Sequence, residues 1–216
     1  MLTVYAVPVS LYCAKLRILL RHKGLNWREV PPPGGYGSDA YRQVVPSGNL
    51  PALLDGSLLI ADSEAIAEYL NETHPEPPML PADPGGRAKA RERSRFHDTR
   101  LEPVVRALFP YLNGQPADGA VIDRKASEIS ARLGQLARIL ADSDLDRRTL
   151  TLGDCGFPVT FEWIARLDPA LDLGIAWPEA VLAYRDALER HDAAAAVLVD
   201  YRPVLADWMK MRGPGA

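Results

Sequence analysis

The stretch that decides the fold is PSGNLPALLDGSLLIADSEAIAEYL, residues 46–70. Two short apolar runs flank Asp55-Gly56. This pattern reads as a β-hairpin with a type I′ turn, whose two central residues take positive φ. Pro51 has no N–H to give to a ladder, so it belongs at the start of a strand or on an edge. There it leaves the backbone of Leu50 available to an extended peptide laid alongside, although a plain edge strand fits the same spacing. Asp62 and Ser63 then precede Ala65, Ile66, Tyr69 and Leu70, which share one helical face. Either residue is a preferred N-cap. The same helix start, with its free N–H groups and positive dipole end, also suits a carboxylate, with Asp62 beside it for an ammonium. An α-amino acid head group carries both charges.

Working outward toward the N-terminus, residues 2–7 (LTVYAV) form a short apolar strand that Pro8 ends. Residues 12–23 read as a helix, with Cys13, Leu16 and Leu20 on one face and Arg17 and Arg21 on another. Arg21, His22 and Lys23 complement its C-terminal dipole, and Gly24 fits the position after the cap. Residues 26–30 look like a second strand, 31–38 (PPPGGYGS) are a loop, and a short helix over 38–44 leads into the hairpin. The order β-α-β-α-β-β-α implies a parallel first pair and an antiparallel hairpin. The expected result is a thioredoxin-like domain with a mixed four-stranded sheet.

Toward the C-terminus, HPEPPMLPADPGG at 74–86 holds five prolines and two glycines and marks the passage between domains. We place the first domain at 1–76, the linker at 77–86 and an all-helical bundle domain at 87–216. No strand pattern follows the linker. Residues 87–112 read as one long helix bent at Pro103. Ile122, Ala126, Ile129, Leu133, Leu136 and Leu140 step by turns of a bundle seam, and helices are expected over 178–190 and 203–211. Thr151 and Asp154 fit an acid-ended capping box, with Leu150 and Cys155 as its hydrophobic staple.

Bulk composition narrows the classes of function. The chain has 216 residues, 47% of them hydrophobic, with 25 basic against 28 acidic residues and a net charge of -3. Such a balance gives no electrostatic footprint for nucleic acid. No apolar run is long enough to span a membrane, and the first residues do not read as a secretory signal. Two cysteines, Cys13 and Cys155, make no disulfide framework, which fits a reducing, cytoplasmic compartment. His22, His74, His97 and His191 are scattered without metal-ligand spacing, so no metal is expected.

SLYCAKLRILLRHKG (10–24), SGNLPALLDG (47–56), ADSEAIAEYL (61–70) and the TLGD cap (151–154) occur in an order that resembles the glutathione S-transferase superfamily. The resemblance covers essentially the whole chain. It implies a cis peptide before Pro51, with Leu50 pairing by backbone with the cysteinyl part of glutathione. Asp62 and Ser63 then hold the γ-glutamyl end, and Asn49 faces the glycyl end. Asp62 stands where the family usually has Glu, and Asn49 where lysine or a similar residue is usual, so the glycyl carboxylate is held more weakly there or from residues 31–43.

The resemblance also makes Ser10, seven residues before Arg17, the thiol-activating residue, as in serine-type members. Tyr5 and Cys13 are alternatives: some branches use a tyrosine from the first strand, and cysteine-type members a cysteine near Ser10. A second-substrate site is expected from Leu11, Tyr12, Arg106, Phe109 and Tyr111. The implied activity is transfer of the glutathione thiolate to a small electrophilic, hydrophobic acceptor, by a homodimer. Glutathione-dependent isomerisation, ether cleavage or dehalogenation are related outcomes, although zeta-type isomerases carry Ser-Ser-Cys where this chain has Ser10-Leu11-Tyr12. A non-catalytic interaction or regulatory protein of the same fold is the alternative from another class.

Overall fold

A computed structural model describes residues 1–113, 118–142 and 149–211. Strand β1 (Leu2–Tyr5) has Leu2, Thr3 and Val4 all buried, as a central strand covered on both faces requires. It pairs in parallel with β2 (Trp27–Val30) and antiparallel with β3 (Ala52–Asp55), which returns as β4 (Leu58–Ala61). The order β2-β1-β3-β4 is the mixed, thioredoxin-like sheet expected from the sequence. The hairpin differs in detail. Asp55 pairs with Leu58, so Gly56 and Ser57 form the turn, and of the two only Gly56 has positive φ (+59°). That is the pattern of a type II′ turn. Asp55 stays in the ladder, where its carboxylate accepts a hydrogen bond from Tyr69 (2.9 Å).

Helix α1 (Leu11–His22) follows β1 and is buried around most of its circumference. It packs on α3 (Ser63–Thr73) in its own domain and on α7 (Phe157–Leu171) and α9 (Asp192–Lys210) of the helical half. Cys13, Leu16 and Leu20 are buried, while Arg17 and Arg21 lie on the less covered side. Its end is a Schellman motif: Gly24 N–H bonds to Arg21 O, Leu25 N–H bonds to Leu20 O, and Gly24 takes φ +62°. Helix α2 (Asp39–Val44) is capped by Ser38. In α3 the buried residues are Ser63, Ile66, Ala67 and Leu70; Ala65 is exposed and Tyr69 half-buried, so the inner face is turned by about a residue from the expected one.

The second half is helical, as expected. Helix α4 (Pro84–Phe96) begins inside the stretch read as linker, because Asp83 caps it and Pro84 suits the first turn. The long helix expected over 87–112 is interrupted. A π-helical turn (His97–Leu101) joins α4 to α5 (Glu102–Arg106), and a 3-10 turn (Phe109–Asn113) follows. Pro103 has no N–H, and the N–H of Glu102 before it reaches back to His97 O across the wider turn. Helix α6 (Gly119–Ala141) buries the predicted seam from Ala126 to Leu140, with Ile122 half-buried in its first turn.

The capping box closes over a 3-10 turn (Leu152–Asp154) ahead of α7. Asp154 does more than cap. Its carboxylate takes the N–H and hydroxyl of Thr151 at 2.8 and 2.6 Å, the guanidinium of fully buried Arg93 at 3.1 Å, and the hydroxyl of Tyr184 on α8 (Glu179–Glu189). Helix α9 is longer than the 203–211 expected, since Pro203 lies inside it on an exposed side instead of starting it.

Candidate functional site

The sheet register brings Ser10, Asn49, Leu50, Pro51, Asp62 and Ser63 to one end of the sheet. Tyr5 pairs with Val30 on one side and Ala52 on the other, and Ala52 pairs with Ala61. These four residues form a row across one end of the sheet. From it leave the loop to Ser10, the loop after β2, the Asn49–Leu50–Pro51 approach to β3, and the step to Asp62 and Ser63. Strands lie about 4.8 Å apart, so the β1 and β4 exits are roughly 10 Å apart, the reach of a three-residue peptide.

The Leu50–Pro51 bond is cis, and Leu50 lies outside the ladder, which ends at Ala52. Tyr41 holds this approach: its hydroxyl donates to Asn49 O (2.8 Å), and its buried ring packs edge-on against Tyr5 (5.7 Å). Tyr5 is thus a packed aromatic. Asp62 caps α3 through Oδ1, which accepts the N–H groups of Glu64 (2.9 Å) and Ala65 (3.0 Å), and Ser63 is buried in the first helical turn.

Ser10 is the N-cap of α1, and its Oγ accepts the Cys13 N–H at 3.3 Å. A hydroxyl that accepts one bond still has a proton to donate. The residues before it are held firmly. Arg17, paired with Glu29 through two 2.7 Å bonds, donates to Pro8 O (3.1 Å) and Val7 O (3.4 Å). Tyr201 of α9 donates to Val9 O at 2.6 Å. The Ser10-to-Arg17 spacing thus has a physical reason: it returns the guanidinium to the loop that presents Ser10. Cys13 is buried, and burial pushes its thiol pKa up against the opposing Ser10 hydrogen bond. Such a thiol is a poor nucleophile.

The sequence reading missed a buried ionic cluster one turn further along α1. Lys15, 3% exposed, donates to Glu64 of α3 and to Asp98 of the π turn, both at 2.8 Å. Ser94 donates to the same Glu64 oxygen at 2.6 Å. Burial works to lower the Lys15 pKa, but the Asp98 and Glu64 charges more than offset it and raise it, so the amine stays protonated. Burial likewise pushes Asp98 up, and is outweighed by its His97 hydrogen bond and the Lys15 charge, which bring it down to about 2. An ionised Asp98 only accepts, so His97 Nδ1 carries the proton of that 2.7 Å bond. His97 Nε2 meets Thr160 of α7 at 2.7 Å. The signal was present: Lys15 lies between Leu11 and Ile18 on an apolar stripe.

The expected second-substrate residues divide into two groups. Tyr12 donates to buried Glu102 at 3.1 Å, and the Arg106 guanidinium lies over its ring (5.2 Å) while pairing with the same Glu102 (2.7 Å). Burial, then the Glu102 and Asp98 charges, hold the Tyr12 phenol protonated. Arg106 keeps half its side chain exposed, but Glu102 already balances its charge. Phe109 stacks instead on Trp163 (4.1 Å), with Trp208 against both rings. Leu11 is buried in the core, and Tyr111 is half-buried against it. Glu102 was not anticipated; nothing in its spacing marks it.

Among the described residues no group of three or more His, Cys, Asp or Glu side chains could hold a metal ion, and no helix is long and apolar enough to cross a membrane. Residues 4–78 match the family model described as glutathione S-transferase, N-terminal domain. The chain is 35% identical over 119 residues to glutathione S-transferase Z2 of Arabidopsis thaliana, covering 50% of this chain and 53% of that protein. It is 31% identical over 106 residues to a stringent starvation protein A homolog of Coxiella burnetii, covering 46% and 51%. The match thus spans about half the length of these curated relatives. Among solved structures, the holo form of maleyl pyruvate isomerase, a bacterial zeta-class glutathione S-transferase, superposes with a TM-score of 0.75 at 27% identity, over 90% of this chain and 95% of that one.

Proposed function

This chain belongs to the glutathione S-transferase superfamily, and we propose that it binds glutathione and delivers its thiolate to a small electrophilic, hydrophobic acceptor. The observation that carries this reading is the row Tyr5–Ala52–Ala61, from which Ser10, Leu50 and Asp62 leave at one edge of the sheet. In the bound state the Leu50 backbone pairs with the cysteinyl residue, Asp62 and Ser63 receive the γ-glutamyl head group, and Asn49 faces the glycyl end.

Ser10 donates its hydroxyl proton to the glutathione sulfur. A free thiol titrates near 8.5, and lowering that by about two units takes roughly 2.7 kcal/mol. A hydrogen bond to a charged group supplies roughly 1.5–3 kcal/mol. The α1 dipole adds roughly 0.3–1 kcal/mol, so no general base is needed. The remaining work is positioning of the acceptor against the thiolate. Tyr12 and Arg106 form the acceptor's wall. Because Glu102 balances Arg106, a neutral acceptor suits this wall better than an anionic one.

The test combines calorimetry with glutathione, titration of the bound thiol by its ultraviolet absorbance in the unaltered chain and Ser10→Ala, and a panel of electrophiles. We expect binding, a raised thiol pKa in the variant, and turnover of at least one acceptor. A thiol pKa unmoved by Ser10→Ala would transfer the catalytic role elsewhere. Isomerisation through the same thiolate is supported by the likeness to the holo isomerase. It is distinguished by product formation without consumption of glutathione. A second reading, a non-catalytic module of the same fold, is supported by the shorter acid at Asp62 and by Asn49 in place of a lysine; absence of glutathione binding would favour it. Cytoplasmic residence, domains at 1–76 and 87–216, and a homodimer complete the proposal. The partly apolar β4 edge, with Leu58 46% exposed, supports the dimer, and sedimentation tests it.

A further inference from the structure

Helix α9 reaches across the molecule to the loop that carries Ser10. Tyr201, 2% exposed, donates its hydroxyl proton to Val9 O at 2.6 Å. The Tyr201 hydroxyl oxygen accepts the indole N–H of Trp163 at 2.7 Å. Trp163 is in turn fixed by its stack on Phe109 and its edge contact with Trp208.

Val9 O belongs to the peptide unit whose other end is the Ser10 N–H, and that N–H donates to Val7 O at 3.2 Å. The Val9–Ser10 peptide plane is therefore held at both ends. A planar peptide fixed at both ends sets where the following side chain starts. Of the three carbonyls at 7–9, Arg17 holds two from within the sheet domain, and α9 holds the third. A phenylalanine would fill the same space at 201. It would leave a buried carbonyl and a buried indole N–H without this partner, which structures avoid.

We propose that Tyr201 is a positioning residue for thiol activation: it fixes the peptide ahead of Ser10 so that the Ser10 hydroxyl points at the glutathione sulfur. This rests on the reading of Ser10 as the thiol's hydrogen-bond donor. A hydrogen bond to a charged acceptor weakens steeply as its angle degrades, so a freed peptide costs thiolate stabilisation while leaving the peptide-binding groups on β3 and α3 in place.

The experiment titrates the bound thiol and measures glutathione affinity in the unaltered chain, Ser10→Ala, Tyr201→Phe and Tyr184→Phe. Tyr184→Phe also removes a buried hydroxyl, but one that serves Asp154. Tyr201→Phe is expected to raise the thiol pKa by about half to one unit, a roughly three- to tenfold loss of thiolate below that pKa, with glutathione affinity within about twofold. Tyr184→Phe is expected to lower the thermal midpoint without moving the thiol pKa. A thiol pKa that Ser10→Ala raises and Tyr201→Phe leaves alone overturns the inference while the functional reading stands. Equal shifts in the two tyrosine variants overturn it too, since general loosening would then suffice. If Tyr201→Phe does not fold, Trp163→Phe, which removes the donor that orients the Tyr201 hydroxyl, replaces it under the same criteria. No glutathione binding by the unaltered chain removes the functional reading and this inference together, and calorimetry tells that case apart.

Discussion

Asp62 holds φ at +109° and accepts two backbone N–H groups through one carboxylate oxygen. Capping needs only that oxygen, whereas an ammonium needs the charge. The two roles separate in Asp62→Asn, because asparagine caps as well as aspartate. We expect an unchanged thermal midpoint and glutathione affinity lower by about ten- to a hundredfold, the worth of roughly 1.5–3 kcal/mol. Equal affinity in a calorimetric titration would leave Asp62 as a cap alone. Asp98 gives a pH signature. Its folded value of about 2 lies below that of an ordinary aspartate, which is near 4. Its contribution to stability is therefore fully present above about pH 4 and is lost as pH falls toward about 2. Denaturant midpoints should decline through that window, and less steeply in Asp98→Asn. The places of Ser10, Leu50, Pro51, Asp62 and Ser63 at a strand or helix end were legible because each carries local backbone chemistry. Tyr201 was not, because its partner Val9 lies near the other end of the chain, and Lys15 showed only as a charge on an apolar stripe, without its distant partners Glu64 and Asp98.

Helix α4 and the 3-10 turn before α7 approach so closely that Gly153 has no room for a side chain: a methyl group there would collide with the carbonyl of Ala90. Backbone cannot yield as a side chain tip can. Gly153→Ala should destabilise by about 3 kcal/mol or more, at the upper end of overpacking. Gly134→Ala on α6 has open space around the new methyl and serves as the control, with a small gain expected from helix propensity. Chemical denaturation of both variants decides the matter; equal midpoints would mean the two elements can separate at little cost. The TLGD box was visible as a motif, yet its weight was not. Arg93 and Tyr184, which complete the Asp154 network, sit on helices whose sequences say nothing of each other. Of Pro103 and Pro203, only Pro203 misled. It reads as a helix start and lies mid-helix, whereas Pro103 reads as a bend and follows a π turn. Proline states what a residue cannot donate, and the surrounding packing decides how the chain absorbs it.

At the scale of the molecule, the fold class was legible because the change from strands to helices falls at one proline-rich block, but the way the halves join was not. Lys15 joins them through carboxylates on α3 and the π turn. Lys15→Met would leave Glu64 and Asp98 facing each other with little exposure, and we expect a loss of about 3 kcal/mol at neutral pH. Acid should narrow the gap to the unaltered chain, because protonation relieves the repulsion; a gap independent of pH would refute this account. The proline-rich passage itself is sewn down. Lys23 donates to His74 O (2.7 Å) and Pro77 O (2.9 Å), Asn71 accepts the Met79 N–H (3.1 Å), and Met79 O accepts the Leu152 N–H (2.9 Å) beneath its own buried side chain. Pro75, Pro77 and Pro78 nevertheless show their rings to solvent. A protease that reads only exposed, unpatterned sequence should find this segment inviting and fail to cut it in the native protein. Severing the chain there would tear hydrogen bonds from both halves, so neither half is a part that can be lifted out, traded with a relative or produced alone without its surface being rebuilt.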